Sequence, residues 1–401
     1  MRILQVIPRL SSKYGGGGFT ITKNLTLALA NREHKVGIFT SDYDFNMFQP
    51  TQVENNLLVE FNKYPAKRIW VFPFRTVFNI VSLHITTTPK KLLQNIFNEG
   101  IDVIHMQGCR TWQNIIVYQW AKKYKISYVV DAHGFPVEGT FLRKLFIRIF
   151  DALFANRIVR NAKFCIAETE TGVKEYLRAG VDKNKIVIIP CPYDLSIFDS
   201  LPSRGRFRER SKLSQQQRIV LYLGGLDYIK GLDFLVKAFA MLNDENAVLV
   251  LVGEDMGFRK TLEKLVNDLN IKNAVIFTSG LYGQEKLEAL VDADVAVFPS
   301  RAEQGLPFAA LEAIMCGTPI IVTDGTGAAE DVKKMGAGLV AGMIALTEAD
   351  LIQDLSIGIQ HVLDYKEVHL VKNGQSYIRK NLSITEKVKD YEELYKRCLN
   401  K

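Results

Sequence analysis

Short apolar runs alternate with helix-periodic segments along most of this 401-residue chain. In the first half the runs are Ile3–Ile7, Val36–Thr40, Val103–His105, Ser127–Asp131, Phe164–Ala167 and Ile186–Ile189. A second series starts at Arg218 and comprises Ile219–Leu223, Val248–Val252, Val275–Thr278, Val295–Phe298 and Ile320–Thr323. Helical stretches fall between them, among them Ile21–Ala30, Asp233–Leu242 and Lys260–Leu269. Strands apolar on both faces and separated by helices predict parallel, doubly wound sheets, hence an α/β fold. The pattern is diluted between Pro190 and Gln217, where Pro192, Pro202, Ser203, Gly205 and a Gln run intervene. Two Rossmann-like domains follow, one over 1–195 and one over 196–379. A last helix spans roughly Thr385–Cys398, within 380–401.

The clearest amphipathic segment is 141–160, where Leu142, Leu145, Phe146, Ile149, Phe150 and Leu153 recur at helical spacing among Arg143, Lys144, Arg148, Arg157 and Arg160. Two readings stand: a core helix with a solvated basic side, or contact with an anionic membrane surface or lipid-pyrophosphate acceptor. Phe74–Lys91 adds aromatic and basic residues to the same half. Residues 1–192 hold 26 Lys/Arg against 14 Asp/Glu, so the net charge of +8 is concentrated there. A nucleic-acid partner is the weaker reading and none is expected, because no recognition motif accompanies this charge. No apolar run is long enough for a membrane span, and Met1–Leu10 lacks the features of a signal peptide. The five cysteines are scattered, with neither a disulfide framework nor zinc spacing, which favours reduced thiols and the cytoplasm.

Chemistry concentrates between Val295 and Ala337. Pro299-Ser300 ends the apolar run Val295–Phe298, and Pro307 then occupies a first-turn position of a helix running toward Ile314. The start of such a helix presents backbone N–H groups and partial positive charge to a phosphate. Glu312, further along, is placed to accept hydrogen bonds from the vicinal hydroxyls of a ribose. A nucleotide diphosphate asks for both.

This segment resembles the signature of the group 1 retaining glycosyltransferases, with their two-Rossmann-domain GT-B fold. The family motif carries two Glu separated by seven residues, then Gly-x-Pro and a strand. Glu312 stands for the second Glu and Gly317-Thr318-Pro319 for the Gly-x-Pro. The first Glu position falls on Gln304, with Glu303 one residue out of register, and a bulge over Ala302–Gly305 could bring Glu303 into place. The family's Gly-Arg, four residues, Lys-Gly pattern falls on Gly224–Gly231: Lys230 matches, but the Arg position is Gly225. Arg301, from a neighbouring strand end, is a conceivable substitute cation.

The resemblance implies a metal-independent enzyme without cofactor, moving a sugar from a UDP-, GDP- or ADP-sugar to a hydroxyl of a glycan or lipid-linked acceptor. It places donor binding on Gly17, Gly18, Gly225, Lys230, Gly305, Leu306, Pro307, Phe308 and Glu312. Catalysis falls to His133, Lys230, Glu303 and Gln304. It also implies a cleft between the domains and a final helix returning to the first domain, while the basic amphipathic segment 141–160 adds to a cytoplasmic location the option of a peripheral place on the inner face of the cytoplasmic membrane.

His133, in Asp131-Ala132-His133-Gly134, lies at a strand's carboxyl end, where sites of open α/β sheets are built. His105 is a lesser candidate on the acceptor side. The glycines of Tyr14–Thr20 lack the dinucleotide fingerprint, and no acidic residue closes the second strand, which excludes a nicotinamide oxidoreductase. Asp42–Asp44 and Asp292–Asp294 mimic the metal-binding Asp-x-Asp, but the latter falls where the resembled family has a structural acid. Alternatives are a catalytically weak sugar-nucleotide-binding subunit and a nucleotide-sugar epimerase of the same fold.

Overall fold

A computed structural model describes residues 1–7, 16–39, 94, 97–98, 100–134, 141–242, 244–302 and 305–400. The chain forms two compact units: Met1–Asp194 with Leu382–Lys401, and Leu195–Asn381.

In the first unit, β1 (Arg2–Val6), β2 (Lys35–Phe39), β3 (Val103–Gln107), β4 (Ser127–Asp131), β5 (Phe164–Ala167) and β6 (Ile186–Ile188) make one sheet ordered β2-β1-β3-β4-β5-β6. Every pairing in it is parallel. In the second unit, β7 (Arg218–Leu223), β8 (Ala247–Val252), β9 (Val275–Thr278), β10 (Val295–Phe298), β11 (Ile320–Thr323) and β12 (Leu339–Ala341) make another parallel sheet, ordered β12-β11-β10-β7-β8-β9. Both are Rossmann-like. Strand order reverses between β1 and β3 in the first sheet and between β7 and β10 in the second, and carboxyl ends at such a reversal are where ligands bind in open α/β sheets.

The helix Ile384–Leu399 belongs to the first unit. Its Val388, Tyr391, Leu394 and Tyr395 are buried with Ile3, Leu25, Leu29, Val103 and Val129. Each fully buried side chain of this kind contributes about 1.5–3 kcal/mol, so the apolar face fixes the helix. Glu392 also takes both arms of Arg32, at 2.7 and 2.8 Å, and His34 Nε2 at 2.7 Å. Arg32 is solvent-accessible, and such an ion pair orients more than it stabilises.

Three details depart from the sequence pattern. β12 went unread: it has three residues, hemmed by Gly338 and Gly342, too few to show a period. The glycines at 16–18 belong to a helix, Gly16–Asn31, rather than to a loop before it. Pro307 caps its helix (φ −57°, ψ 141°) instead of opening it, and the helix runs Phe308–Met315. Proline fixes φ alone, and its φ suits an extended residue as well as a first turn.

Candidate functional site

In the first unit, three neighbouring strands deliver polar groups to their carboxyl ends. Gln107 ends β3, Asp131 ends β4 with His133 two residues on, and Glu168 follows β5. The Tyr176 hydroxyl fixes the end of β4, accepting from Ala132 N at 2.8 Å and donating to Val130 O at 3.1 Å. His133 then turns into the left-handed region at φ 50°, followed by Gly134 at φ 99°. A non-glycine residue held there stores strain that the surroundings must over-determine, a feature concentrated at functional sites.

What holds it is hydrogen bonding on both ring nitrogens. His133 Nδ1 lies 2.7 Å from Glu168 Oε1 and Nε2 lies 2.6 Å from Gln107 Oε1. Asp131 Oδ1 stands 3.3 Å from the same Nδ1. Burial opposes the charged ring, but the Asp131 and Glu168 carboxylates outweigh it and raise the His133 pKa to about 9. Glu168 is also penalised by burial, yet the bond from His133 carries its carboxyl below the usual range. Burial pushes Asp131 up, and its Oδ2 is buried without a hydrogen-bond partner. Asp131, His133 and Glu168 bring ligand-type atoms within 4.8 Å of one another, the one such group among the described residues.

His105 behaves differently. It is fully buried on β3, with Nδ1 2.8 Å from Tyr395 Oη, and burial lowers its pKa to about 3. This neutral ring ties the last helix to the sheet, and the structure gives it a core position in place of the acceptor-side one expected. Gln107 Nε2 lies 3.3 Å from His105 Nε2 and 3.3 Å from Gln5 Oε1, linking the two histidines.

In the second unit the loop after β7 is pinned to the end of β10. A Cβ on Gly231 (φ 65°) would sit 2.0 Å from Pro299 O, so only glycine passes here. Arg301 N donates to Ile229 O at 2.8 Å, and Asp227 caps the turn Tyr228–Lys230 through Ile229 N. Lys230 is thereby set beside the strand-order reversal. Arg301 does not stand in for the missing family arginine. Its guanidinium binds Asp233 through both arms at 2.8 and 2.7 Å and Tyr228 O at 2.8 Å, sandwiched between the Tyr228 and Phe234 rings. At Gly225 a Cβ would already meet Met256 Cγ at 3.0 Å.

Glu312 is buried on the helix Phe308–Met315, with Oε1 2.5 Å from Lys286 Nζ. Before that helix, Leu306 N donates to Asp331 Oδ2 at 2.8 Å, which removes one amide from those expected to meet a phosphate. Gly305, Leu306, Pro307, Phe308 and Glu312 therefore all lie at or beyond the carboxyl end of β10, on the same loop-and-helix segment. Glu303 and Gln304, with the bulge at 302–305 that turns on them, lie outside the described residues, as do Tyr14, Gly15, Asp42–Asp44 and Phe74–Lys91. Gly17 and Gly18 sit in the first turn of the Gly16–Asn31 helix, and among the described residues nothing lies within 4 Å of a Cβ built on Gly18.

Asp292 and Asp294 are structural. Asp292 accepts from Gly205 N and Arg208 N, and Asp294 from Ile219 N and Arg208, tying the short helix Arg206–Arg210 to the start of β7. Gln107, Glu168, Lys286 and Asp331 escaped the sequence reading. Gln107 and Glu168 follow the strand-end rule that singled out His133. The other two sit on helix faces, where the sequence alone carries no signal.

Comparison with known proteins gives two family matches: the model for glycosyl transferases group 1 over residues 203–368 and that for glycosyltransferase family 4 over residues 15–197. An uncharacterized glycosyltransferase of Methanocaldococcus jannaschii is 26% identical over 346 residues, covering 83% of each chain. The GDP-mannose-dependent alpha-(1-6)-phosphatidylinositol monomannoside mannosyltransferase of Mycolicibacterium smegmatis is 29% identical, over 56% of this chain and 61% of that protein. Among solved structures, Anabaena HepE in complex with UDP and glucose superposes with a TM-score of 0.75 at 16% identity, covering 99% of this chain and 100% of that one.

Proposed function

The chain belongs to the group 1 glycosyltransferases, and from that premise we propose that it moves a sugar from a nucleotide diphosphate donor to a hydroxyl of a glycan or lipid-linked acceptor, with retained anomeric configuration and no metal ion. The observation that carries this reading is the reversal between β7 and β10, where the Lys230 turn and the Pro307-capped helix with its buried Glu312 meet. A cation, a helix amino terminus and a buried carboxylate are what a diphosphate joined to a ribose requires.

In the proposed reaction the bond between the sugar's anomeric carbon and the diphosphate oxygen breaks, its electron pair leaving with the diphosphate. The acceptor hydroxyl attacks from the same face, and its proton passes to the departing phosphate oxygen. Lys230 stabilises the charge that develops there, and Glu312 accepts from the ribose hydroxyls. His133, its two ring N–H groups taken by Glu168 and Gln107, fixes the turn from which the backbone N–H after it, at Gly134, donates to a hydroxyl of the transferred sugar. Gly18, whose Cβ would meet none of the described residues, leaves room for a ligand against its backbone. HepE was solved with UDP, and the mycobacterial relative is GDP-mannose-dependent, which supports a sugar nucleotide donor of either base.

One observation favours a slower protein: Gly225 offers no guanidinium and Arg301 is committed to Asp233. Release of nucleoside diphosphate from UDP- and GDP-sugars, with and without a mixed acceptor fraction, tests the proposal. Acceptor-dependent release supports transfer. Nucleotide binding without release marks the weak-subunit alternative, and acceptor-independent interconversion of the sugar nucleotide marks the epimerase.

A further inference from the structure

The amino-terminal edge of the first sheet holds a cavity of about 400 Å³ that the sugar-transfer reading does not use. It opens where the helix Trp112–Tyr124 ends and where β4, β5 and β6 begin, beside Ser127, Lys163 and Lys185. Because every strand is parallel, this edge is opposite the one that carries Gln107, Asp131 and Glu168. The volume falls within the range of about 300–1,000 Å³ usual for small-molecule sites.

The lining is rich in one charge. Lys122 and Lys125 come from the helix end, Lys163 from the approach to β5 and Lys185 from the approach to β6, and no carboxylate joins them. None of the four forms an ion pair among the described residues. Lysines often gather at a helix carboxyl end to neutralise its free carbonyls. Here the backbone takes that role: Lys125, at φ 56°, and Ile126 donate their N–H groups to Lys122 O at 3.3 Å and Ala121 O at 2.9 Å. Lys185 Nζ donates to Arg160 O at 2.9 Å, and an ammonium keeps two further donors. Like charges gathered around one hollow repel one another, and an entering polyanion relieves them.

The walls are aromatic. Tyr128 is fixed by its hydroxyl, which donates to Ile158 O at 2.7 Å, and Tyr118 meets it edge to face with centroids 6.0 Å apart. Ring walls beneath an ammonium rim suit a compact ring that carries phosphates. We propose that this cavity is a second ligand site, which takes a sugar bisphosphate with its ring against Tyr118 and Tyr128 and its phosphates on Lys122, Lys125, Lys163 and Lys185. The site stands apart from the sugar-transfer reading and survives its failure.

The test is calorimetric titration of the full chain with fructose 1,6-bisphosphate. Wild type is expected to bind it, to weaken as salt rises, and to hold inorganic pyrophosphate, which lacks the ring, less tightly. Lys122→Gln/Lys163→Gln should lower the affinity about tenfold or more, because two charge-assisted contacts are lost. Both side chains are exposed, so the unfolding midpoint of this variant should remain that of wild type. Lys230→Ala, in the second unit, should bind as wild type does. Absence of wild-type binding, or affinity that the lysine pair variant retains, overturns the proposal. So does pyrophosphate binding as tight as that of the sugar bisphosphate, since bare charge would then suffice. Binding lost in Lys230→Ala overturns it as well, because the ligand would then occupy the proposed donor site.

Discussion

His133 Nε2 donates to Gln107 Oε1 across 2.6 Å, and this bond gives direction to a chain of polar groups through the first sheet. With its carbonyl oxygen engaged, the Gln107 amide nitrogen is left to donate to His105 Nε2 at 3.3 Å. His105, neutral because burial lowers its pKa to about 3, then carries its proton on Nδ1 and donates to Tyr395 Oη. His133, whose other nitrogen lies 2.7 Å from Glu168, carries protons on both. The two histidines therefore hold different charge states with Gln107 between them, one held at the strand end and one cementing the core.

Stability should fall as pH rises through the alkaline range, and His133 should be the cause. Its folded pKa is raised from 6.5 to about 9, so the charged ring's contribution is complete below pH 6.5 and disappears as pH rises through about 9. The loss is on the order of 3 kcal/mol at most, since each tenfold gain in proton affinity is worth about 1.4 kcal/mol. Asp131, raised by burial, acts with the same sign at lower pH. Thermal melts from pH 6 to 9.5 should show the decline in wild type and a flatter profile in His133→Gln. Parallel profiles would separate His133 from the effect.

Tyr395→Phe should destabilise the first unit by about 1–3 kcal/mol, although it removes a single oxygen. The loss leaves the His105 Nδ1–H buried without an acceptor, and the desolvation penalty of that group then stands uncompensated. Urea unfolding would register it as a lower midpoint with an unchanged slope. A neutral result would mean that His105 finds another acceptor in the core.

Much of this fold was legible because parallel strands buried on both faces advertise themselves as apolar runs: β4, β5, β9, β10 and β11 begin and end where the sequence pattern put them. The place of His133 just past a strand end and of Glu312 on the helix after β10 was legible through the apolar runs and the motif. The pairing of residues far apart in sequence was not. Glu168 meets His133 across 35 positions and Lys286 meets Glu312 across 26, and no periodicity encodes which strand ends or helix faces become neighbours. Arg301 shows the same limit from the other side: its fork-shaped charge suggested a ligand, and tertiary structure assigned it to Asp233.

Lys286 and Glu312 should separate folding from donor binding. Lys286→Met takes the ammonium away from a buried carboxylate and should cost about 1–3 kcal/mol of stability. Adding Glu312→Gln should restore most of that loss, because the neutral amide no longer needs the ammonium. Donor affinity follows the other rule: Glu312→Gln, alone or in the pair, should raise the dissociation constant for the sugar nucleotide. Calorimetric titration of nucleoside diphosphate into the three variants checks this, and an unchanged constant in Glu312→Gln removes the ribose assignment.

Lys230→Ala should lower turnover by about 30- to 1,000-fold, the 2–4 kcal/mol that accompanies loss of one electrostatic contact to developing charge. The turn that carries Lys230 is held by Asp227 and by Arg301 N, both untouched by the change, so unfolding midpoints should remain those of wild type. The loss should lie in kcat more than in KM, because the charge on the leaving diphosphate grows toward the transition state. A variant as fast as wild type would move the leaving-group role elsewhere.

Turnover should persist in excess chelator. Asp131, His133 and Glu168 have the atom types and the spacing of a cation site, within 4.8 Å of one another. Coordination, however, needs a ring nitrogen with its lone pair exposed. With both ring nitrogens of His133 donating, to Glu168 and to Gln107, a metal would have to displace a proton held with a pKa of about 9 and break a 2.7 Å bond. Zinc and manganese should therefore leave the melting temperature near neutral pH unchanged, and ethylenediaminetetraacetate should leave product formation intact. A metal-dependent rise in melting temperature that His133→Gln abolishes, together with activity lost in chelator, would turn this cluster from an imidazolium clamp into a metal centre.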